Sequence, residues 1–215
     1  GQRLVAAGVR SGRAGPRHWA APARPADIFD AKADALAALE AAGAPVANLQ
    51  VTTDAPDWYH PGRSGCLRLG PAVLAQFGEL HPTVLAALDA AGPVAGFEVM
   101  LDAVPQPKGR KSAARPLLKL SAFQPVERDF AFLVEDSVAA DRVVRAARSA
   151  DKALITEVAV FDVYRGAGVP AGRKSLAITV TLQPTDATLT EDRIEGIGKR
   201  IIAAVEKQTG GSLRT

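Results

Sequence analysis

Hydrophobic and polar residues alternate with two different periods along this chain, and the change of period marks its elements. QRLVAAGVRSG alternates as a strand does and closes on a Ser–Gly turn. DIFDAKADALAALEAAG has helical spacing: Phe29, Leu36, Leu39 and the alanines share one apolar face, and Gly43 is a natural stop. ANLQVTTDA reads as a second strand. PAVLAQFGELHPTVLAALDAAG holds a strand-like run, then a short helix starting near Pro82, where proline suits a first turn. VAGFEVMLDAV sets Val94 and Gly96 against Ala95, Phe97 and Val99, and is a further strand.

Past residue 116 the pattern sharpens. VERDFAFLVE is a strand, and SVAADRVVRAARSA a helix with Ser137 placed to cap it. LITEVAVFDVYRG and RKSLAITVTLQ form a hairpin around Gly166, Gly168 and Gly172. TLTEDRIEGIGKRIIAAVEKQTGG is the longest helix. Thr188 and Glu191 have capping-box spacing, and Ile194, Ile197, Ile201, Ile202 and Val205 fall on one stripe. GSLRT is a short last strand. The order strand–helix–strand–strand–helix–strand predicts a ferredoxin-like split arrangement, with both helices on one face of a four-stranded antiparallel sheet. The parity of RKSLAITVTLQ sends Leu176, Ile178, Val180 and Leu182 to the helices. Ser175, Ala177 and Thr179 are left on the other face, where Asp162 and Tyr164 are placed too. That face is open for binding.

Between these regions lies PQPKGRKSAARP, Pro105 to Pro116, with Lys108, Arg110, Lys111 and Arg115 and no acid. It reads as a basic linker, with a phosphate-contacting strip as the alternative. The predicted domains are therefore 1–116 and 117–215, in an α+β chain. The first opens abruptly, Gly1 leading straight into a strand, which predicts that a longer natural chain precedes it.

Composition narrows the classes. The chain has 215 residues, 47% of them hydrophobic, enough for a sizeable core. Its single cysteine, Cys66, excludes an internal disulfide and suits a reducing compartment; a buried thiol is the expected state. There is no run of membrane-spanning length and no signal-peptide pattern, so a cytoplasmic protein is expected. The net charge of +3 is modest for a nucleic-acid binder. His18, His60 and His81 lack ligand-like spacing. HPGRSG lacks the Lys-Ser/Thr ending of a Walker loop and reads as a turn before a strand. In GELHP, Glu79 and His81 have no nucleophile beside them and read as fold-specifying.

RDFAFLV, VFDVYRG, GRKSLAITVTLQP, TLTEDRI and GGSLR, in that order over Leu120 to Thr215, resemble the C-terminal anticodon-binding domain of bacterial phenylalanyl-tRNA synthetase β subunits. Upstream, DIFDAKADALAALEAAG, HPGRSGCLRLG, FGELHP and GFEVMLDAV resemble the second half of the catalytic-like module of the same subunit, a partial class II synthetase-like antiparallel sheet. The resemblance covers essentially the whole chain and implies a C-terminal piece of a longer subunit. It implies a heterotetramer of two α and two β chains that charges tRNA-Phe with phenylalanine, using ATP and magnesium. Chemistry would belong to the α subunit, with no cofactor in this piece and no catalysis by it alone. Ala131, Asp162, Tyr164 and Ser175 match the family's anticodon-meeting positions. Tyr164 would stack, Asp162 accept from a base N–H, Ser175 donate or accept, and Ala131 allow close approach. Arg173 and Lys174 would serve phosphates. Two other readings stand beside this one. One is a protein-interaction module, favoured by a large exposed apolar patch. The other is a small-molecule-binding domain, which needs a deep pocket with converging polar groups.

Overall fold

The computed structural model describes residues 2–105, 117 and 120–214. The basic residues Lys108, Arg110, Lys111 and Arg115 lie outside the described residues, as does the predicted boundary at Pro116. The fold is α+β with antiparallel sheets, and the chain divides into two compact units, Gly1–Ala114 and Arg115–Thr215.

The first unit contains β1 (Val5–Ser11), α1 (Ile28–Ala41), β2 (Gln50–Thr52), β3 (Tyr59–Leu69), β4 (Ala72–Leu80), α2 (Pro82–Ala87) and β5 (Val94–Met100). Its sheet runs β1-β5-β4-β3-β2. The row Ala6–Val99–Ala75–Leu67 crosses four strands and packs under α1 against Ala35 and Leu39. Helix α1 starts where it does because Asp27 and Asp30 form a reciprocal cap: the Asp27 carboxylate accepts from the Phe29 and Asp30 amides, and Asp30 accepts from the Asp27 amide at 2.9 Å. Gly43, at φ +88°, follows the C-cap Ala42.

Two expectations for this unit are corrected. Phe29 is not on the apolar face: it is 69% exposed, and the buried positions of α1 are Ala31, Ala35 and Leu39, spaced four apart. HPGRSG is not a turn before a strand but lies inside β3, whose pairing with β4 is interrupted between Tyr59 and Ser64. An irregular register erases the two-residue period by which a strand is read. His60 and His81, far apart in sequence, have ring centroids 6.5 Å apart, because Tyr59 pairs with Leu80. Among the described residues no three His, Cys, Asp or Glu side chains are grouped to hold a metal ion.

The second unit contains β6 (Val126–Glu135), α3 (Ala140–Ser149), β7 (Ile155–Tyr164), β8 (Arg173–Leu182), α4 (Glu191–Thr209) and β9 (Ser212–Leu213). Its sheet order, β7-β8-β6-β9, is that of the ferredoxin-like arrangement. Leu176, Ile178, Val180 and Leu182 of β8 meet Val143, Ala146 and Ala147 of α3 and Ile194, Ile197, Ile201 and Val205 of α4 in one core. Full burial of each of the larger side chains is worth roughly 1.5–3 kcal/mol, so this apolar stripe holds α4 in place. Gly210, at φ +69°, ends α4 and turns the chain into β9. The predicted caps are corrected here. Helix α3 has Ala139, not Ser137, at its N-cap, and α4 has Thr190 rather than Thr188; neither makes a side-chain capping bond. No helix among the described residues is long and apolar enough to cross a membrane.

Candidate nucleic-acid interface

Pairing in the second sheet puts directly opposed residues on the same face. Four rows cross the face away from the helices. They are Glu127–Thr181–Glu157, Asp129–Thr179–Ala159, Ala131–Ala177–Asp162 and Leu133–Ser175–Tyr164, with Ser212 of β9 ending the last. Ala131, Asp162, Tyr164 and Ser175 therefore lie together on two neighbouring rows at one end of this face. A break in register between Val160 and Asp162 is what brings Asp162 and Tyr164 to it, by taking Phe161 out of the pairing.

The four side chains differ in access. Asp162 is exposed, Tyr164 is 37% exposed, Ala131 is half-buried, and Ser175 is only 3% exposed. The Tyr164 hydroxyl donates to the Ala167 carbonyl at 3.3 Å, and a Cβ on Gly166 would sit 2.6 Å from that hydroxyl oxygen. Glycine at 166 is thus required for the ring to lie where it does. The Arg214 guanidinium is 5.3 Å from the Tyr164 ring centroid. Arg214 escaped the sequence reading, since nothing local distinguishes an arginine near the chain end.

The phosphate candidates fare differently. Lys174 has helix-side parity and is buried; its ammonium donates to the Asp136 carbonyl at 2.8 Å. Burial, with Arg165 nearby, pulls its pKa below the usual lysine value. Lys174 as described is a structural donor and not an open cation, which corrects its reading as a phosphate contact. Arg173 is half-buried and paired with Glu135 at 3.0 Å, and Arg165 pairs with Asp136 rather than Asp162. The far half of the face carries Glu127, Asp129 and Glu157, all exposed, with Asp129 accepting from the Thr179 hydroxyl at 2.6 Å. That end repels phosphate. Among the described residues, Arg165, Arg173 and Lys174 at one end of this face are paired or buried, and its other end is acidic.

In the first unit Glu79 is paired with Arg63 (2.9 Å for the second bond of the fork), and His81 caps α2 by accepting from the Thr83 amide. The guanidinium holds the Glu79 carboxyl below the usual range. A cavity of about 520 Å³ is lined by Glu79, Pro82, Leu85, Ala86, Ala90, Gly92 and Pro93. Its single ionisable side chain is already paired, so no polar groups converge there for a ligand. Cys66 is buried, and burial pushes its thiol up.

Fold and face together place the second unit among ferredoxin-fold anticodon-binding domains, and the family described as "Ferredoxin-fold anticodon binding domain" matches residues 121–214. The family described as "Phenylalanyl tRNA synthetase beta chain CLM domain" matches residues 1–101. The chain is 64% identical over 214 residues to the phenylalanine–tRNA ligase β subunit of Rhodospirillum rubrum, covering 100% of this chain and 27% of the relative. It is 63% identical over 213 residues to that of Paramagnetospirillum magneticum and 55% over 218 to that of Mesorhizobium japonicum, covering 99% of this chain and 27% of each relative. The chain belongs to the phenylalanyl-tRNA synthetase β-chain family, and it spans about a quarter of the length of these curated relatives.

Proposed function

We propose that this chain is the part of a phenylalanine–tRNA ligase β subunit that receives the tRNA-Phe anticodon, and that it does so on the open face of the second sheet. One observation carries the reading: Ala131, Asp162, Tyr164 and Ser175 occupy two adjacent rows of a sheet face that no helix covers. An unstacked base lies on the Tyr164 ring, with its N–H edge on the Asp162 carboxylate. Ala131 and Ala177, lacking bulk, let the base approach the sheet. Arg173 is the remaining candidate for a neighbouring phosphate, once it exchanges Glu135 for that partner.

The whole enzyme pairs this subunit with a catalytic α subunit in an α2β2 assembly in the cytoplasm and charges tRNA-Phe. ATP and magnesium are assigned to the α subunit; no residue described here is assigned to either, and this chain is not catalytic alone. A second reading, docking of a protein subunit, is favoured by the apolar side chains of Val160, Phe161 and Val163, exposed along β7 at the sheet edge.

The test is a titration of a fluorescent tRNA-Phe anticodon stem-loop, with and without a changed first anticodon base, against wild type and Tyr164→Ala. Base-dependent binding that weakens in Tyr164→Ala by roughly 5- to 150-fold, the value of one stacked base, supports anticodon reading. With few open cations on the face, log K should fall with log salt at a slope no steeper than about −1.4, two phosphates' worth for a single strand. A steeper slope would bring in Lys108, Arg110, Lys111 and Arg115. Binding indifferent to base and to Tyr164 would leave a nonspecific contact, and no binding at low salt would favour the docking reading.

A further inference from the structure

Ser175 poses a problem for an open face. Its parity points it away from the helices, yet it is 97% removed from solvent. Something on the face must cover it. Tyr164 stands directly opposite it on β7, and Leu133 on β6. A side chain from the far edge also reaches this end of the face. Arg214 follows β9 and is anchored there by its backbone N–H, which donates to the Ala131 carbonyl at 2.8 Å. Its guanidinium nevertheless reaches the Tyr164 ring, and its Nη2 would be 3.6 Å from a Cβ on Gly168 in the β7–β8 loop. Strands β9 and β7 are three spacings apart, about 14 Å at 4.8 Å each, which neither side chain spans alone. The two come from opposite edges of the sheet and meet on its open face, at the end where the β7–β8 loop begins.

The guanidinium has no carboxylate or hydrogen-bond partner among the described residues. Every other cation named at this end of the sheet is engaged: Arg165 with Asp136, Arg173 with Glu135, Lys174 with the Asp136 carbonyl. An arginine whose contact among the described residues is an aromatic ring can leave at low cost, since an exposed cation–π contact is worth only about 0.5–1 kcal/mol.

The geometry points to Arg214 as a base-contacting residue that keeps the place of the base in the RNA-free protein. Its guanidinium occupies the stacking face of Tyr164 and closes Ser175. An entering base takes that position and is sandwiched between the Tyr164 ring and the planar guanidinium, and the Ser175 hydroxyl is uncovered to meet the base edge. Both side chains are flat and stack on any base, so they supply affinity; Ser175 and Asp162 then discriminate. This rests on the anticodon reading of the face, but it assigns a residue and an order of events beyond it.

Two measurements on the full chain test it. In the stem-loop titration, Arg214→Ala should weaken the matched loop about tenfold or more and shrink its preference over the base-changed loop. Arg214→Lys, which keeps the charge and loses the plane, should retain the salt slope without recovering the preference. Second, Ser175→Cys gives the chain a second thiol in addition to the buried Cys66. It should react slowly with a thiol reagent in an otherwise unchanged chain and at least tenfold faster when combined with Arg214→Ala, with urea midpoints checking that each variant is folded. Wild-type binding that is base-dependent and unchanged in both Arg214 variants would overturn the role of Arg214 and leave the anticodon reading standing. A thiol at 175 that reacts equally fast with and without Arg214 would overturn the cover. Failure of the wild type to bind any loop would remove the anticodon reading, and this inference with it.

Discussion

Tyr164 is oriented from three sides: by the Ala167 carbonyl at its hydroxyl, by Arg214 at its ring, and by the missing side chain of Gly166. The last of these can be changed without touching any residue proposed to meet RNA. Gly166→Ala places a Cβ 2.6 Å from the phenolic oxygen, the free end of a side chain that can turn away. The expected outcome is a urea midpoint close to wild type, since the group that yields is mobile. Stem-loop affinity should drop toward that of Tyr164→Ala, measured in the same titration. An unchanged affinity would mean that the ring's position does not matter. Among the candidate residues, the outward direction of Ser175 was legible because parity along an unbroken strand is a local property, whereas Asp162 and Tyr164 reach that face through the break in register after Val160. Lys174 was misread because the same parity that put Ser175 outside sends its neighbour inward, and a buried lysine has to find a carbonyl.

At the scale of elements, those with an unbroken period were readable and those with a break were not. Helix α4, with Ile194, Ile197, Ile201 and Val205 on one stripe, and β8, with its strict alternation, were both placed from sequence. Strand β3 was hidden by the irregular pairing around HPGRSG. It has two glycine contacts of a kind no period shows. A Cβ on Gly78 of β4 would lie 2.5 Å from the Ser64 Cβ and 3.0 Å from the Arg63 carbonyl, and one on Gly65 would lie 2.9 Å from the Thr52 carbonyl. The atoms in the way include backbone, which cannot yield as a side-chain tip does. Gly78→Ala is expected to cost about 1–3 kcal/mol, as other overpacked sites do, read from the urea midpoint of the first unit. A loss below about 0.5 kcal/mol would show that β3 shifts freely against β4.

For the whole molecule, charge pairing predicts that the first unit is acid-sensitive. The Arg10 guanidinium holds Asp34 below the usual carboxylate range, and the Arg24 guanidinium with the Asp27 amide does so for Asp30. The Thr52 hydroxyl and Arg68 act likewise on Asp54, and Arg63 on Glu79. A carboxyl whose folded pKa is lowered contributes stability that is complete above its unfolded value, about 3.9–4.3, and is lost as pH falls through the folded value. Both tryptophans, Trp19 and Trp58, are in this unit, so their emission reports on it alone. The urea midpoint followed by tryptophan emission should be level from about pH 7 to 5 and decline below about pH 4. Asp34→Asn should start lower and decline less. A midpoint that stays level to about pH 2.5 would show that these exposed pairs add nothing, as many surface pairs do.

The sequence by itself determined the elements with clean periods, the order that makes the second unit ferredoxin-like, and the face on which Ser175 stands. Each of these follows from spacing between near neighbours, and a backbone of fixed geometry converts spacing into direction. Only the tertiary structure decided that Ser175 is covered and Lys174 is spent on a carbonyl. It alone joined His60 to His81, and brought Arg214 from the last residues of the chain to the ring of Tyr164. Those depend on pairs separated by twenty to fifty positions, whose contact is set by strand order and by a bulge of one residue. No local period records them.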